Sequence, residues 1–211
     1  MPAAGSREAT LVLATGNRAK AREMKALLAD LPVRILDLSD FPEVALPPEG
    51  ETSYADNALG KARAAAAATG HLALADDSGI EVDALDGQPG VLSARFGGEG
   101  LDDAGRNAEM LRALRGVPPA RRTARYRALI ALCAPGGREA VAEGTVEGIV
   151  LDAPRGAGGF GYDPLFFYPP LGATFAEVST EAKHAVSHRG LAMASARRIL
   201  AEWLSQSAAT S

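Results

Sequence analysis

Residues 54–82 read "YADNALGKARAAAAATGHLALADDSGIEV", and this stretch decides the fold class. Its first part is alanine-rich through Thr69 and then meets Gly70. Alanine is the best helix former, and glycine suits the left-handed residue at which helices end. The pattern predicts a helix over residues 54–69 whose small side chains pack close against a sheet. Residues 72–75 then read as a strand that runs into two adjacent acids, Asp76 and Asp77. The apolar pattern resumes at residues 80–82, so the strand is expected to break at the acids and continue beyond them.

The same alternation extends upstream. Residues 11–14 form a short apolar strand, followed by a Thr15-Gly16-Asn17 turn. "AKAREMKALLADL" then has helical periodicity, with Met24, Leu27, Leu28 and Leu31 on one face. A second strand is expected at residues 33–36, and "FPEVALPPEGETS" reads as an exposed, acidic loop. Downstream, "DGQPGVLSARFGG" is turn-rich, and "DDAGRNAEMLRALRG" reads as a helix capped by Asp102 or Asp103. Residues 124–151 read as an antiparallel strand pair around a Pro-Gly-Gly turn. "SHRGLAMASARRILAEWL" is the last helix, with Ser187 a candidate N-cap and Trp203 directed to the core. Interleaved helices and strands followed by a strand-rich segment predict an α/β fold with a mixed, twisted sheet. One domain is expected over residues 10–204, with loose tails at 1–9 and 205–211.

The chain has 211 residues, 47% hydrophobic and 23% charged, which is enough apolar material for a sizeable core. The formal net charge is -4 with no block of like charges, which argues against a protein that coats nucleic acid or an anionic membrane. Cys133 is the only cysteine, so no internal disulfide forms, and a reducing cytoplasm is the expected location. It lies in an apolar run and reads as a small core residue rather than a nucleophile.

Four stretches carry candidate chemistry. "TGNRAK" (Thr15, Gly16, Asn17, Arg18, Ala19, Lys20) joins a strand to a helix, where unpaired backbone N–H groups attract phosphate. It lacks the paired glycines and the Lys-Ser/Thr ending of a Walker A loop, and an ordinary βα turn is the competing reading. The Asp76-Asp77 pair comes next. Strand side chains alternate, so one acid faces a cleft while the other braces its surroundings. Carboxylates of this kind suit Mg²⁺, which takes one or two protein carboxylates and leaves other positions to water and phosphate. Glu49 and Glu51 are both placed to supply a second ligand. "GGFGYDP", with Phe160, Gly161, Tyr162 and Asp163, is a loop able to lay an aromatic ring on a flat ligand. "KHAVSHRG" gathers Lys183, His184, His188 and Arg189 near a helix start. Its two histidines have i,i+4 spacing, but an HExxH pattern fails at Ala185. Together these stretches suit a nucleoside triphosphate: phosphate binding, a magnesium-type acid pair, an aromatic clamp and a cationic reader.

Five stretches, "LATGNRAKAREM", "DNALGKARAAA", "ADDSGIEVDALDGQPGVLSARFGG", "GGFGYDPLFF" and "SHRGLAM", occur in an order that resembles one family over nearly the whole chain. That family is the inosine/xanthosine triphosphate pyrophosphatases, which act on non-standard purine nucleotides. The resemblance implies an elongated, two-lobed homodimer with its active-site cleft between the lobes. It implies Mg²⁺-dependent hydrolysis of ITP, dITP and XTP to the monophosphate and pyrophosphate. It places the phosphate loop on Thr15 to Lys20, the helix lysine on Lys61 and the catalytic aspartate on Asp77, followed by substrate-contacting Ser78. It assigns base and sugar contacts to Phe160, Gly161, Tyr162 and Asp163, then to Lys183, His188 and Arg189.

The acidic loop departs from the family pattern "EDG-x-TF-x-ENA", reading "EGETSYADNA" here. Counting back from Asn57 puts the metal-ligating acid at Glu49, with Glu51 the competing position. Two other functions use the same clamps: a purine nucleotide regulator that cleaves nothing, and a pyrophosphatase for other modified nucleotides. A dinucleotide-dependent oxidoreductase is disfavoured, because GxGxxG is missing after the first strand.

Overall fold

The computed structural model describes residues 9–209. The predicted N-terminal tail lies almost wholly outside them. Strands β1 (Thr10–Leu13), β2 (Arg34–Asp37), β3 (Leu72–Val82), β4 (Thr123–Cys133), β5 (Glu139–Val150), β6 (Phe166–Tyr168) and β7 (Ala173–Thr174) form one sheet. Its order is β2-β1-β3-β4-β5-β6-β7. β1 is parallel to β2 and to β3, and every later pairing is antiparallel, so the sheet is mixed as expected. The helices are α1 (Arg18–Leu28), α2 (Tyr54–Thr69), α3 (Asp103–Ala113), α4 (Thr180–Val186) and α5 (His188–Ala209). No helix among the described residues is long and apolar enough to cross a membrane.

The alanine helix occupies the predicted residues and ends at Gly70, whose φ of 69° a side chain would resist. Its alanines 58, 62, 65 and 66 pack on Ala73, Ala75, Ala131 and Cys133 across one face of the sheet. The opposite face carries two apolar clusters. Leu74, Ile130 and Leu132 pack with Met24 and Leu28 of α1 and with Met193, Leu200 and Trp203 of α5. Further along the same strands, Ile80, Val82, Tyr126 and Val146 join Met110, Phe166 and Phe175. On β3, Asp76 and Ser78 stand between these clusters, where neither apolar layer claims the side chain.

The expected break at the acids is absent. β3 runs unbroken through residues 72–82, because β4 pairs with it from Ala73 to Val82. What ends is its other neighbour. β1 pairs with β3 only as far as Leu13 opposite Leu74. Ala14 N–H still donates to Leu74 O at 2.8 Å, but two residues on, Asp76 O receives Lys61 Nζ at 2.8 Å instead. The acids therefore lie inside a strand with one open edge. Farther along, Ser93 Oγ accepts from Ile80 N–H at 2.9 Å.

Two other differences are small. Helix α5 continues through Ala209, beyond the point at which a loose C-terminal tail was expected. Lys183 belongs to the separate short helix α4, and Ser187 links it to α5, accepting from Gly190 N–H at 3.1 Å as an N-cap does.

Candidate active site

A cavity of about 330 Å³ opens beside the free edge of β3, at the end of β1. Thr15, Gly16, Asn17, Lys20, Glu49, Lys61, Asp77, Ser78, Phe160, Gly161, Tyr162, Asp163, Lys183, His188 and Arg189 all line it. Arg18 and Ala19 do not. The turn that holds them also departs from expectation. Asn17 caps α1 and its Oδ1 accepts from Ala19 N–H at 2.9 Å and Lys20 N–H at 3.1 Å. Those two amides are engaged by the cap, which leaves the Lys20 ammonium as the charged group this helix start presents to the cavity.

The two acids take opposite faces of the sheet, as strand alternation requires. Asp77 faces α2: its Oδ2 accepts from Asn57 Nδ2 at 2.9 Å, and its Oδ1 stands 3.8 Å from Lys61 Nζ. Burial pushes the Asp77 carboxyl above its usual range, and Lys61 and Asn57 only partly oppose this. Glu49 bonds the same Lys61 ammonium at 2.6 Å, and that contact outweighs burial to hold its carboxyl low. Glu51, the competing acid, is exposed and outside the cavity. Glu49 and Asp77 thus both line the cavity beside the Lys61 ammonium, Glu49 in close contact and Asp77 Oδ1 in only a long ionic one. Two carboxylates beside space for water and phosphate are a donor set that fits Mg²⁺.

Asp76 faces α1 and α5 and is fully buried. Burial opposes its charge, yet Arg189 and Lys20 outweigh it and hold the carboxyl far below the usual range. Lys20 Nζ lies 2.8 Å and an Arg189 guanidinium nitrogen 3.1 Å from Asp76 Oδ2. Arg189 also donates to Ser78 Oγ at 2.9 Å and to Glu23 Oε2 at 2.6 Å. Lys183 joins the network through Glu23 at 2.8 Å and Asp163 at 2.6 Å. Both cations expected to read the ligand are therefore already braced by carboxylates. Arg189 Nε and His188 Nδ1 are buried without a hydrogen-bond partner among the described residues. His188 stacks on Tyr126, with centroids 4.4 Å apart and planes 10° apart. Burial pushes its imidazole well below its ordinary range, so it is neutral.

Several site residues escaped the sequence reading. Asn57 shares one face of α2 with the expected Lys61 at i,i+4 spacing, so a second polar residue on the buried side of an alanine helix was a usable signal. Glu23 follows Lys20 by three residues on α1 and gave the same kind of signal. Asp103, Arg106 and Tyr126 also line the cavity, and nothing local in the sequence marked them. The capping role of this acid pair belongs to Asp102, whose Oδ1 accepts from Gly105 N–H at 2.8 Å.

Fold and cleft together define an α/β protein built to hold a polyanion that carries a flat ring. Comparisons with known proteins narrow this further. The model of the Ham1 family matches residues 11–199, and the chain belongs to that family. It is 54% identical over 184 residues to the dITP/XTP pyrophosphatase of Geobacter sulfurreducens, covering 87% of this chain and 92% of that protein. It is 51% identical to the dITP/XTP pyrophosphatase of Desulforamulus reducens, covering 90% and 94%. Among solved structures, a HAM1 protein from Coxiella burnetii superposes with a TM-score of 0.80 at 38% identity, covering 92% of this chain and 99% of that one.

Proposed function

We propose that this protein hydrolyses ITP, dITP and XTP to the monophosphate and pyrophosphate, clearing them from the nucleotide pool. The observation that carries the reading is one cavity lined by Lys20, Lys61, Glu49 and Asp77 together with Phe160, Lys183, His188 and Arg189. The sequence identity to dITP/XTP pyrophosphatases supports it.

Lys20 and Lys61 draw the triphosphate in and offset its charge. Positioned cations of this kind stabilise charge that develops in the transition state. Asp77 orients the attacking water and takes its proton, the water's oxygen adds to the α-phosphorus, and pyrophosphate leaves. Glu49 and Asp77 would hold Mg²⁺, which supplies charge neutralisation and polarises phosphoryl oxygens when bound. Arg189 Nε and His188 Nδ1, both without a hydrogen-bond partner among the described residues, are donors suited to the 6-oxygen of hypoxanthine or xanthine. Adenine presents an amino group there and leaves them unpaired.

The deciding experiment assays pyrophosphate and orthophosphate released from ITP, with and without Mg²⁺. Metal-dependent pyrophosphate without orthophosphate is expected. Binding of ITP with no release would make the protein a nucleotide sensor instead. The same reading includes a cytoplasmic homodimer, supported by the family resemblance. A sizing measurement should give twice the chain mass, and a monomer at working concentration refutes it.

A further inference from the structure

We propose that Asp103 and Asn107 are positioning residues that grip the backbone of Gly161 and so hold the Phe160 ring against the bound nucleotide. Gly161 N–H donates to Asp103 Oδ2 at 2.7 Å, and Asn107 Nδ2 donates to Gly161 O at 3.0 Å. The two side chains stand four residues apart on α3 and therefore share a face. One residue of the loop is thus held through both its backbone donor and its backbone acceptor by a helix from the second apolar cluster.

At Gly161 this grip matters because packing there supplies little. Phe160 lies between Gly159 and Gly161, with φ values of 70° and 63°. Two neighbouring glycines in the left-handed region leave the ring-bearing residue free to swing unless the backbone is tied. Residues 152–159 are exposed, and a Cβ at Gly161 would meet no atom of the described residues within 4 Å. Behind the loop lies a hollow of about 410 Å³, bordered by Asn107, Leu111, Ala157 and Pro164. Hydrogen bonds fix the backbone on either side of the ring. Phe160 N–H is held by Asp163 Oδ2 at 2.8 Å, and the α3 pair fixes the next residue. The ring is then set 4.8 Å from Lys183 Nζ and 5.5 Å from the Arg189 guanidinium. Asn107 is the cleaner handle, because it is 9% exposed while Asp103 also pairs with Arg106.

This inference rests on the reading that Phe160 contacts the ring of the substrate. The test measures Kd for ITP and for inorganic tripolyphosphate, which has no ring, in an Asp77→Asn background so that substrate survives. Asn107→Ala should weaken ITP on the order of tenfold, the loss expected from one partly buried hydrogen bond. Tripolyphosphate binding should stay within about twofold. Asn107→Asp, the same size but presenting an acceptor to Gly161 O, should weaken ITP at least as much. With Phe160→Ala already present, Asn107→Ala should add less than about twofold, because coupled residues are non-additive. Equal losses for both ligands, or full additivity with Phe160→Ala, would overturn the clamp, as would unchanged ITP binding by Asn107→Ala. Failure of the wild-type chain to cleave ITP is a separate result that sinks the proposed activity and leaves these binding comparisons readable.

Discussion

Lys20 places its ammonium 2.8 Å from the carboxylate of Asp76, a side chain with no exposed surface. The same carboxylate oxygen is 3.1 Å from Arg189, so one buried anion holds two cations from α1 and α5. Asp76→Asn removes that anion and leaves both cations short of a counter-charge. Breaking a buried pair costs about 3–5 kcal/mol. The Asp76 pKa is depressed in the folded state, so its contribution is present above about pH 4, the unfolded value, and is lost as the pH falls below it. Urea unfolding of both proteins from pH 7 down to pH 3 should show a large gap at pH 7 that narrows on acidification. A gap independent of pH contradicts this role.

Asp77 is the opposite case, a carboxylate whose removal should spare the fold. Asp77→Asn retains an oxygen to accept from Asn57 Nδ2. Its turnover of ITP should fall by about 100-fold or more, while the unfolding midpoint stays close to wild type. Pyrophosphate release at near-wild-type rates would remove Asp77 from the chemistry.

Gly79 has no room for a side chain. A Cβ there would stand 2.1 Å from Gly90 O, 2.5 Å from Ser93 Oγ and 2.8 Å from Tyr54 Oη. Gly79→Ala must push the 90–95 segment off β3, disturbing the Ser93 bond to Ile80 N–H. Overpacking of this kind costs about 1–3 kcal/mol. Calorimetry should show a lowered Tm, and the rate should fall with it, since Gly79 and Ser93 both line the cavity. A Tm equal to wild type means the segment moves at no cost.

Base selectivity follows from hydrogen-bond polarity. Each donor left unpaired against adenine costs about 1–3 kcal/mol, about 5- to 150-fold. The kcat/KM values for ITP and XTP should exceed that for ATP by at least one such factor. Equal values for all three would take His188 and Arg189 out of base reading.

Cys133 packs under the alanine helix, and burial pushes its thiol up to about 11. At pH 8 only about 0.1% is thiolate, the reactive form. Thiol reagents should label it only as fast as the chain unfolds. Rapid labelling of the folded protein would show that α2 separates readily from the sheet.

The second helix was legible to the residue, because an alanine run closed by Gly70 leaves few alternatives. The β4–β5 hairpin was legible from its apolar runs and Pro-Gly-Gly turn. The break expected in β3 was wrong for a definite reason. Two carboxylates look like an interruption of an apolar strand, but β4 pairs through them on one edge while β1 stops beside them on the other. Asp103 and Asn107 were hidden because their partner, Gly161, lies more than fifty residues away in sequence.

The sequence by itself determined which residue types were available: the acid pair, the lysines, the glycine-flanked Phe160 and the small-residue helix face. These are local properties of composition and period. Tertiary structure alone decided their employment. It turned Asp76 inward to bind Lys20 and Arg189, and set Glu49 rather than Glu51 on Lys61. It also used Asn17 to cap the amides expected to meet phosphate. Such assignments depend on which distant groups share a low-dielectric space, where an unpaired charge or donor is costly, and only the folded chain specifies those neighbours.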